Sequence, residues 1–194
     1  MRVQTLVATS ARCRLATLLT VAALASGCAG PAPRPDAGTG ESRWSGRFAA
    51  GWTDGSDPPR SERASGRFEL ASDSNRTRLE VRSPLGQTLV RAEAGTQGAS
   101  IETADGRRFS ADTAEALTEI VLGWRIPMLR LPVWLAEGGP DRTVDGDWEV
   151  LIESRAQQRP QRLNLRWPAA GSSAEGRSVS IRLLVDETSA GSAP

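Results

Sequence analysis

RTRLEVRSPLGQTLVRAEA, residues 76–94, decides the fold class. Up to Arg82 the residues alternate: Thr77, Leu79 and Val81 fall on one face and Arg76, Arg78, Glu80 and Arg82 on the other, the period of a half-buried strand. Pro84 and Gly86 then mark a tight turn, since proline presets φ and glycine tolerates positive φ. TLVRAEA resumes as a second strand. One residue breaks the rule: Leu85, between the two turn residues, is apolar at a tip where a polar group is expected.

The same pattern continues outward. RFELA (67–71) alternates around Phe68 and Leu70 and is joined to the quoted stretch by the turn SDSN (72–75). ASIETADGRRF (99–109) carries Asp105-Gly106 between two short strands, a strong hairpin signal. WEVLIES (148–154), RLNLRW (162–167) and SVSIRLLVDE (178–187) follow later in the chain. Strands with one charged and one apolar face predict an antiparallel, mainly β domain over residues 44–187. One helical unit interrupts it. In SADTAEALTEIVLGW (110–124), Asp112 and Glu115 form a capping box, Ala116, Leu117, Ile120, Val121 and Trp124 recur at helical spacing, and Gly123 is the expected stop. RIPMLRLPVWLAEGGP (125–140) is apolar, and its internal prolines limit it to a short broken helix.

The N-terminus fixes the compartment. Arg2, Arg12 and Arg14 precede the apolar run LATLLTVAALA (15–25), too short for the roughly 20 residues of a spanning helix, so residues 1–27 read as a signal peptide. Ser26-Gly27-Cys28 resembles the lipobox of bacterial lipoproteins, which implies cleavage before Cys28 and its lipidation. By the same resemblance, Ala29 rather than Asp after the cysteine implies outer-membrane residence, on the periplasmic face. Residues 28–43, with the Pro- and Gly-rich PAPRPDAGTGESR, read as a flexible tether. Its last 13 residues reach at most ~45 Å at ~3.5 Å each. Residues 188–194 read as a disordered tail. Processing removes 27 of 194 residues and leaves 167, enough for one domain with a sizeable core. It also removes three arginines and no acid, so the formal charge passes from +1 to −2, and nothing suggests a nucleic-acid partner.

Reactive chemistry is scarce. The chain has no His, Lys or Tyr, its two cysteines are Cys13 in the signal and Cys28 at the lipid site, and no phosphate-binding glycine loop is present. The carboxylate pairs Asp112/Glu115 and Asp145/Asp147 read as a helix cap and a hairpin rim. No enzyme, metal or cofactor is expected. The aromatic set is skewed instead, with six tryptophans against three phenylalanines. A curved sheet of eight or more strands can enclose an apolar ligand, and this chain has an apolar helical unit to cover it.

The lipobox, WSGRF (44–48), SPLG (83–86), ADGRRFSADTAEALTEIVLGWRIPMLRLPVWLAEGGP (104–140), GDWEV (146–150) and QRLNLRW (161–167), in this order and spacing, resemble the LolB family of outer-membrane lipoproteins from Cys28 to about Val185. The resemblance implies an open, incomplete antiparallel β-barrel, similar to the periplasmic carrier LolA, with a hydrophobic cavity covered by short helices. It implies a function as well: accepting triacylated lipoproteins from a LolA-like carrier and placing them in the outer membrane, as a monomer and without ATP. Leu85 would match the exposed leucine of the family's protruding loop, making Ser83, Pro84, Leu85 and Gly86 a membrane-insertion loop that meets outer-membrane lipids. Candidate cavity residues are then Leu117, Ile120, Val121 and Trp124 on the first helix, Leu131, Trp134 and Leu135 on the second, and Trp148 on the strand after it. Arg47, Arg67 and Arg78 are candidates for docking the carrier, on charge alone. A structural outer-membrane lipoprotein without transfer activity stays open as the alternative; it predicts a filled core.

Overall fold

The computed structural model describes residues 40–169 and 176–189. The expected signal peptide, the lipid site Cys28, most of the tether and the last residues of the tail lie outside these. Ten strands form one antiparallel sheet: β1 (Ser42–Asp54), β2 (Ser61–Ser72), β3 (Arg76–Arg82), β4 (Thr88–Gly95), β5 (Gly98–Thr103), β6 (Arg108–Ala111), β7 (Arg142–Asp145), β8 (Trp148–Ala156), β9 (Arg159–Trp167) and β10 (Arg177–Ser189). The first strand takes in Ser42 and Arg43, and the last runs on through Ser189, so the sheet extends two residues past each sequence-based boundary.

Spatial order is β6-β5-β4-β3-β2-β1-β10-β9-β8-β7. Two meanders, β1 to β6 and β7 to β10, are therefore joined by the pairing of the first and last strands. β6 and β7 remain unpaired edges, and the barrel is open between them. Both are four residues long and each carries an exposed arginine, which discourages further strand addition. The chain between these edges holds helix α1 (Ala114–Leu122), a 3-10 turn (Met128–Arg130) and helix α2 (Leu131–Leu135). Gly123 ends α1 with φ 83°, as the sequence suggests. The cap at its start is Thr113 rather than Asp112. Thr113 is the residue in extended conformation, and its hydroxyl accepts the N–H of Ala116 at 3.1 Å.

The sheet curls where SGRF occurs twice, at 45–48 and 65–68. The two copies pair reciprocally, Gly46 opposite Phe68 and Phe48 opposite Gly66. A Cβ on Gly46 would lie 2.0 Å from the Leu184 carbonyl oxygen, and one on Gly66 would lie 2.0 Å from that of Arg82. Only glycine allows these approaches, and each glycine is covered by the other copy's phenylalanine ring. Inside the curl, Leu70, Leu163 and Leu165 of the sheet and Leu117 of α1 are the largest fully buried side chains. Truncating any of them to Ala would cost about 2–5 kcal/mol.

Candidate functional site

Between the inner face of the sheet and the helical unit lies a cavity of about 330 Å³. This is near the lower end of the ~300–1,000 Å³ typical of ligand sites. Its sheet wall comes from inward positions of β1 to β5 and β8 to β10, among them Phe48, Phe68, Leu79, Val81, Ala92 and Ile181. Its lid wall comes from Val121 and Leu122 at the end of α1, from Trp124, which lies past the Gly123 stop rather than on the helix, from Ile126 to Met128, and from Leu131, Trp134 and Leu135. Thr118 is the one polar side chain in the lining, and it is satisfied: its hydroxyl accepts the N–H of Ile126 at 2.8 Å and donates to the Glu115 carbonyl at 3.1 Å. The space can therefore solvate carbon and little else.

Two tryptophan pairs tie the lid to the sheet. Trp52 of β1 lies 5.5 Å from Trp124, and Trp134 of α2 lies 6.5 Å from Trp148 of β8, both tilted. Trp148 also donates its indole N–H to the Arg125 carbonyl at 3.0 Å. Asp145, read from sequence as part of a hairpin rim, accepts from Arg130 at 2.6 Å and from the Trp134 indole at 2.9 Å, pinning α2 to the edge strand β7. Burial pushes its carboxyl up, but those two hydrogen bonds together with the Arg130 charge outweigh it and hold it below the usual carboxylate range. The indole N–H of Trp124 is buried and has no acceptor among the described residues.

Of the eight sequence-derived cavity candidates, Val121, Trp124, Leu131, Trp134, Leu135 and Trp148 line the space. Leu117 is fully buried in the core but does not reach the cavity. Ile120, expected to face it, is 66 % exposed. The cause is helical phase: α1 buries Ala114, Leu117 and Thr118, with Val121 one turn on, and that stripe leaves Ile120 on the outer side.

Leu85 is 89 % exposed. Its turn is closed by Ser83 N–H to the Gln87 carbonyl at 2.8 Å and Gly86 N–H to the Ser83 carbonyl at 2.9 Å, with Gly86 at φ 85°. Four residues on, the β3–β4 ladder slips: Val81 pairs with Val90 and Arg82 with Thr88, so Leu89 is a bulge. Sequence reading missed this residue. A bulge re-aims its side chain, which is why Leu89 and Val90, adjacent in sequence, both line the cavity. With Leu89 37 % and Leu122 39 % exposed, these two leucines mark the cavity mouth at the same end of the sheet as Leu85.

The three docking arginines lie on the outer face. Arg78 pairs with the buried Glu41, which also holds Arg43 at 2.6 Å; Arg47 pairs with Asp186 at 3.2 Å; Arg67 has no carboxylate partner among the described residues.

The class of protein is thus an open antiparallel barrel with an apolar interior covered by short helices, the form of site that suits an apolar ligand. Residues 43–168 match the family described as outer membrane lipoprotein LolB. The outer-membrane lipoprotein LolB of Azoarcus sp. is 33 % identical over 196 residues, spanning 91 % of this chain and 96 % of that protein. That of Bordetella petrii is 36 % identical over 140 residues, 71 % of this chain and 67 % of its own, and that of Bordetella pertussis 29 % over 189 residues. The chain belongs to the LolB family.

Proposed function

We propose that this chain is an outer-membrane lipoprotein receptor: it accepts triacylated lipoproteins from a LolA-like periplasmic carrier, holds their acyl chains in the cavity, and passes them into the outer membrane. The apolar cavity beneath the helical lid is the observation that carries this reading. Each buried CH₂ is worth ~0.8 kcal/mol, so acyl chains move between apolar compartments without ATP, provided each acceptor holds them better than its donor and the bilayer comes last. Leu85 enters the membrane surface. Burying one leucine contributes ~1.5–3 kcal/mol, too little to anchor the protein but enough to orient a domain held through lipidated Cys28. One copy suffices, since cavity and loop belong to a single chain.

The test mixes the mature chain, with Cys28→Ser to remove its own lipid, with a carrier loaded with a radiolabelled triacylated lipoprotein. Label should move in stoichiometric amounts without nucleotide. Ala92→Phe, which fills the cavity from the buried wall, should abolish that transfer while the protein stays folded. If no label moves to the folded wild type, the receptor reading fails and a scaffold lipoprotein takes its place.

A further inference from the structure

Strand register gathers arginines on the outer face of the sheet, away from the cavity. Across β9, β10, β1, β2 and β3 one row reads Arg162, Leu184, Arg47, Arg67, Arg82. Two residues further along β1 the row is Asn164, Arg182, Ala49, Ser65, and two further still it is Arg166, Ser180, Gly51, Arg63. The doubled SGRF sequence places Arg47 directly opposite Arg67, a like-charge pair that costs the sheet stability. Elsewhere among the described residues arginines are mostly paired with carboxylates. Here Arg63, Arg67, Arg162, Arg166 and Arg182 are exposed and have no such partner among the described residues. Of the acids bordering the patch, Asp186 is held by Arg47, Glu69 and Glu80 by Arg82, and Glu149 by Arg142, while Glu153 and Glu187 meet only the Asn164 amide and the Ser45 hydroxyl. At its centre is a trough of about 630 Å³ lined by small residues, with Arg63 and Arg182 its charged groups.

Position names the occupant. β1 and β3 run parallel to each other, both antiparallel to β2. The second and third rows therefore lie ~7 and ~14 Å beyond Arg82 at ~3.4 Å per residue, level with the loop that leaves β3 at Ser83 and carries Leu85. A carrier delivering acyl chains has to meet the cavity mouth, whereas these rows lie on the opposite surface of the sheet, which favours the membrane over the carrier as their occupant. We infer that this arginine face binds the anionic phospholipid headgroups of the membrane surface that the Leu85 loop enters. The inference rests on the receptor reading for its membrane partner, and supplies the second contact that one leucine lacks. Guanidinium forks suit phosphate oxygens, and the small-residue trough lets headgroups approach the backbone.

Flotation of the mature Cys28→Ser chain with phosphatidylethanolamine vesicles, with and without about one-third phosphatidylglycerol, tests it. Binding should favour the anionic vesicles and weaken with salt as screening shortens its range. Arg63→Gln/Arg67→Gln/Arg182→Gln should lower binding to anionic vesicles at least ~10-fold, at roughly fivefold per arginine before screening. Arg43→Gln/Arg76→Gln/Arg159→Gln, which removes equal charge at the opposite end of the sheet, should leave it nearly unchanged. Should the triple variant misfold, Arg67→Gln alone is expected to give a fall of at least ~2-fold. Equal losses in both triple variants, or no loss in the first, overturn the inference. The assay needs no cargo: intact arginine-dependent binding with failed cargo transfer would sink the receptor reading and leave this face standing, and the reverse result would do the opposite.

Discussion

Two turns at the same end of the sheet share one backbone and differ at the tip. The β3–β4 turn closes with Ser83 N–H to Gln87 and Gly86 N–H to Ser83; the β5–β6 turn closes with Thr103 N–H to Arg107 at 3.0 Å and Gly106 N–H to Thr103 at 2.9 Å. Their glycines have φ 85° and 79°. The tip position holds Leu85 in one and Asp105 in the other. Asp105 folds back on its own turn, accepting from the Thr103 hydroxyl and from Arg107 Nε at 2.6 Å. Leu85 touches nothing comparable and stands bare. The backbone thus accepts a self-satisfied polar tip, so the geometry of the turn does not require a leucine. On the function proposed above, its exposure answers to the membrane surface.

Substitutions can break or sharpen that contrast. The largest effect is expected from Leu85→Asp, which gives the first turn the tip of the second. Transfer of cargo into vesicles should fall roughly 10- to 100-fold, the equivalent of one buried leucine, with no loss of thermal stability. Transfer that survives would show the bare tip is unused. Next come Gly86→Ala and Gly106→Ala. No atom lies within 4 Å of either added methyl, so only the left-handed backbone resists, and each should cost about 1 kcal/mol, or ~2–4 °C in melting temperature. Unequal costs would mean the turns are not alike. The smallest effect is in pH. The Thr103 hydroxyl foremost, then the N–H groups of Arg107, hold the Asp105 carboxyl below its ordinary 3.8. Such a group adds stability above that value and loses it as pH falls through the lowered one. The stability difference between wild type and Asp105→Asn should therefore shrink on acidification below about pH 4, followed by thermal melts, whereas Leu85→Asn should show no such trend from its own turn.

Much of this arrangement was legible in the residues. Alternation in 76–82 and 148–154, the Pro84/Gly86 and Asp105-Gly106 turns, and the proline-broken second helix each record a local rule that tertiary packing did not override. Where reading failed, the deciding information was not local. α1 has apolar residues on two stripes, and only its neighbours choose the one carrying Leu117 and Val121 over the one carrying Ile120. Asp112 and Thr113 are both competent caps, and the backbone of one residue settled the matter. The bulge at Leu89 follows from a register slip between two strands, invisible in either alone, although the adjacent apolar pair Leu89-Val90 after a turn was a hint. The doubled SGRF was in plain view; what it means, a reciprocal glycine–phenylalanine pairing, needed the partner strand.

The pairing of β1 with β10 has a consequence for biogenesis. Arg43 meets Ser189 and Asp54 meets Arg177 across the centre of the sheet, so this ladder cannot zip until the last strand has been made. Such long-range closure is slow, and it leaves two half-sheets with open edges in the meantime. A chain destined for export benefits from that delay. Threading through a secretion channel requires an unfolded polypeptide, and a sheet whose central ladder joins its first strand to its tenth stays threadable until that tenth strand has been made.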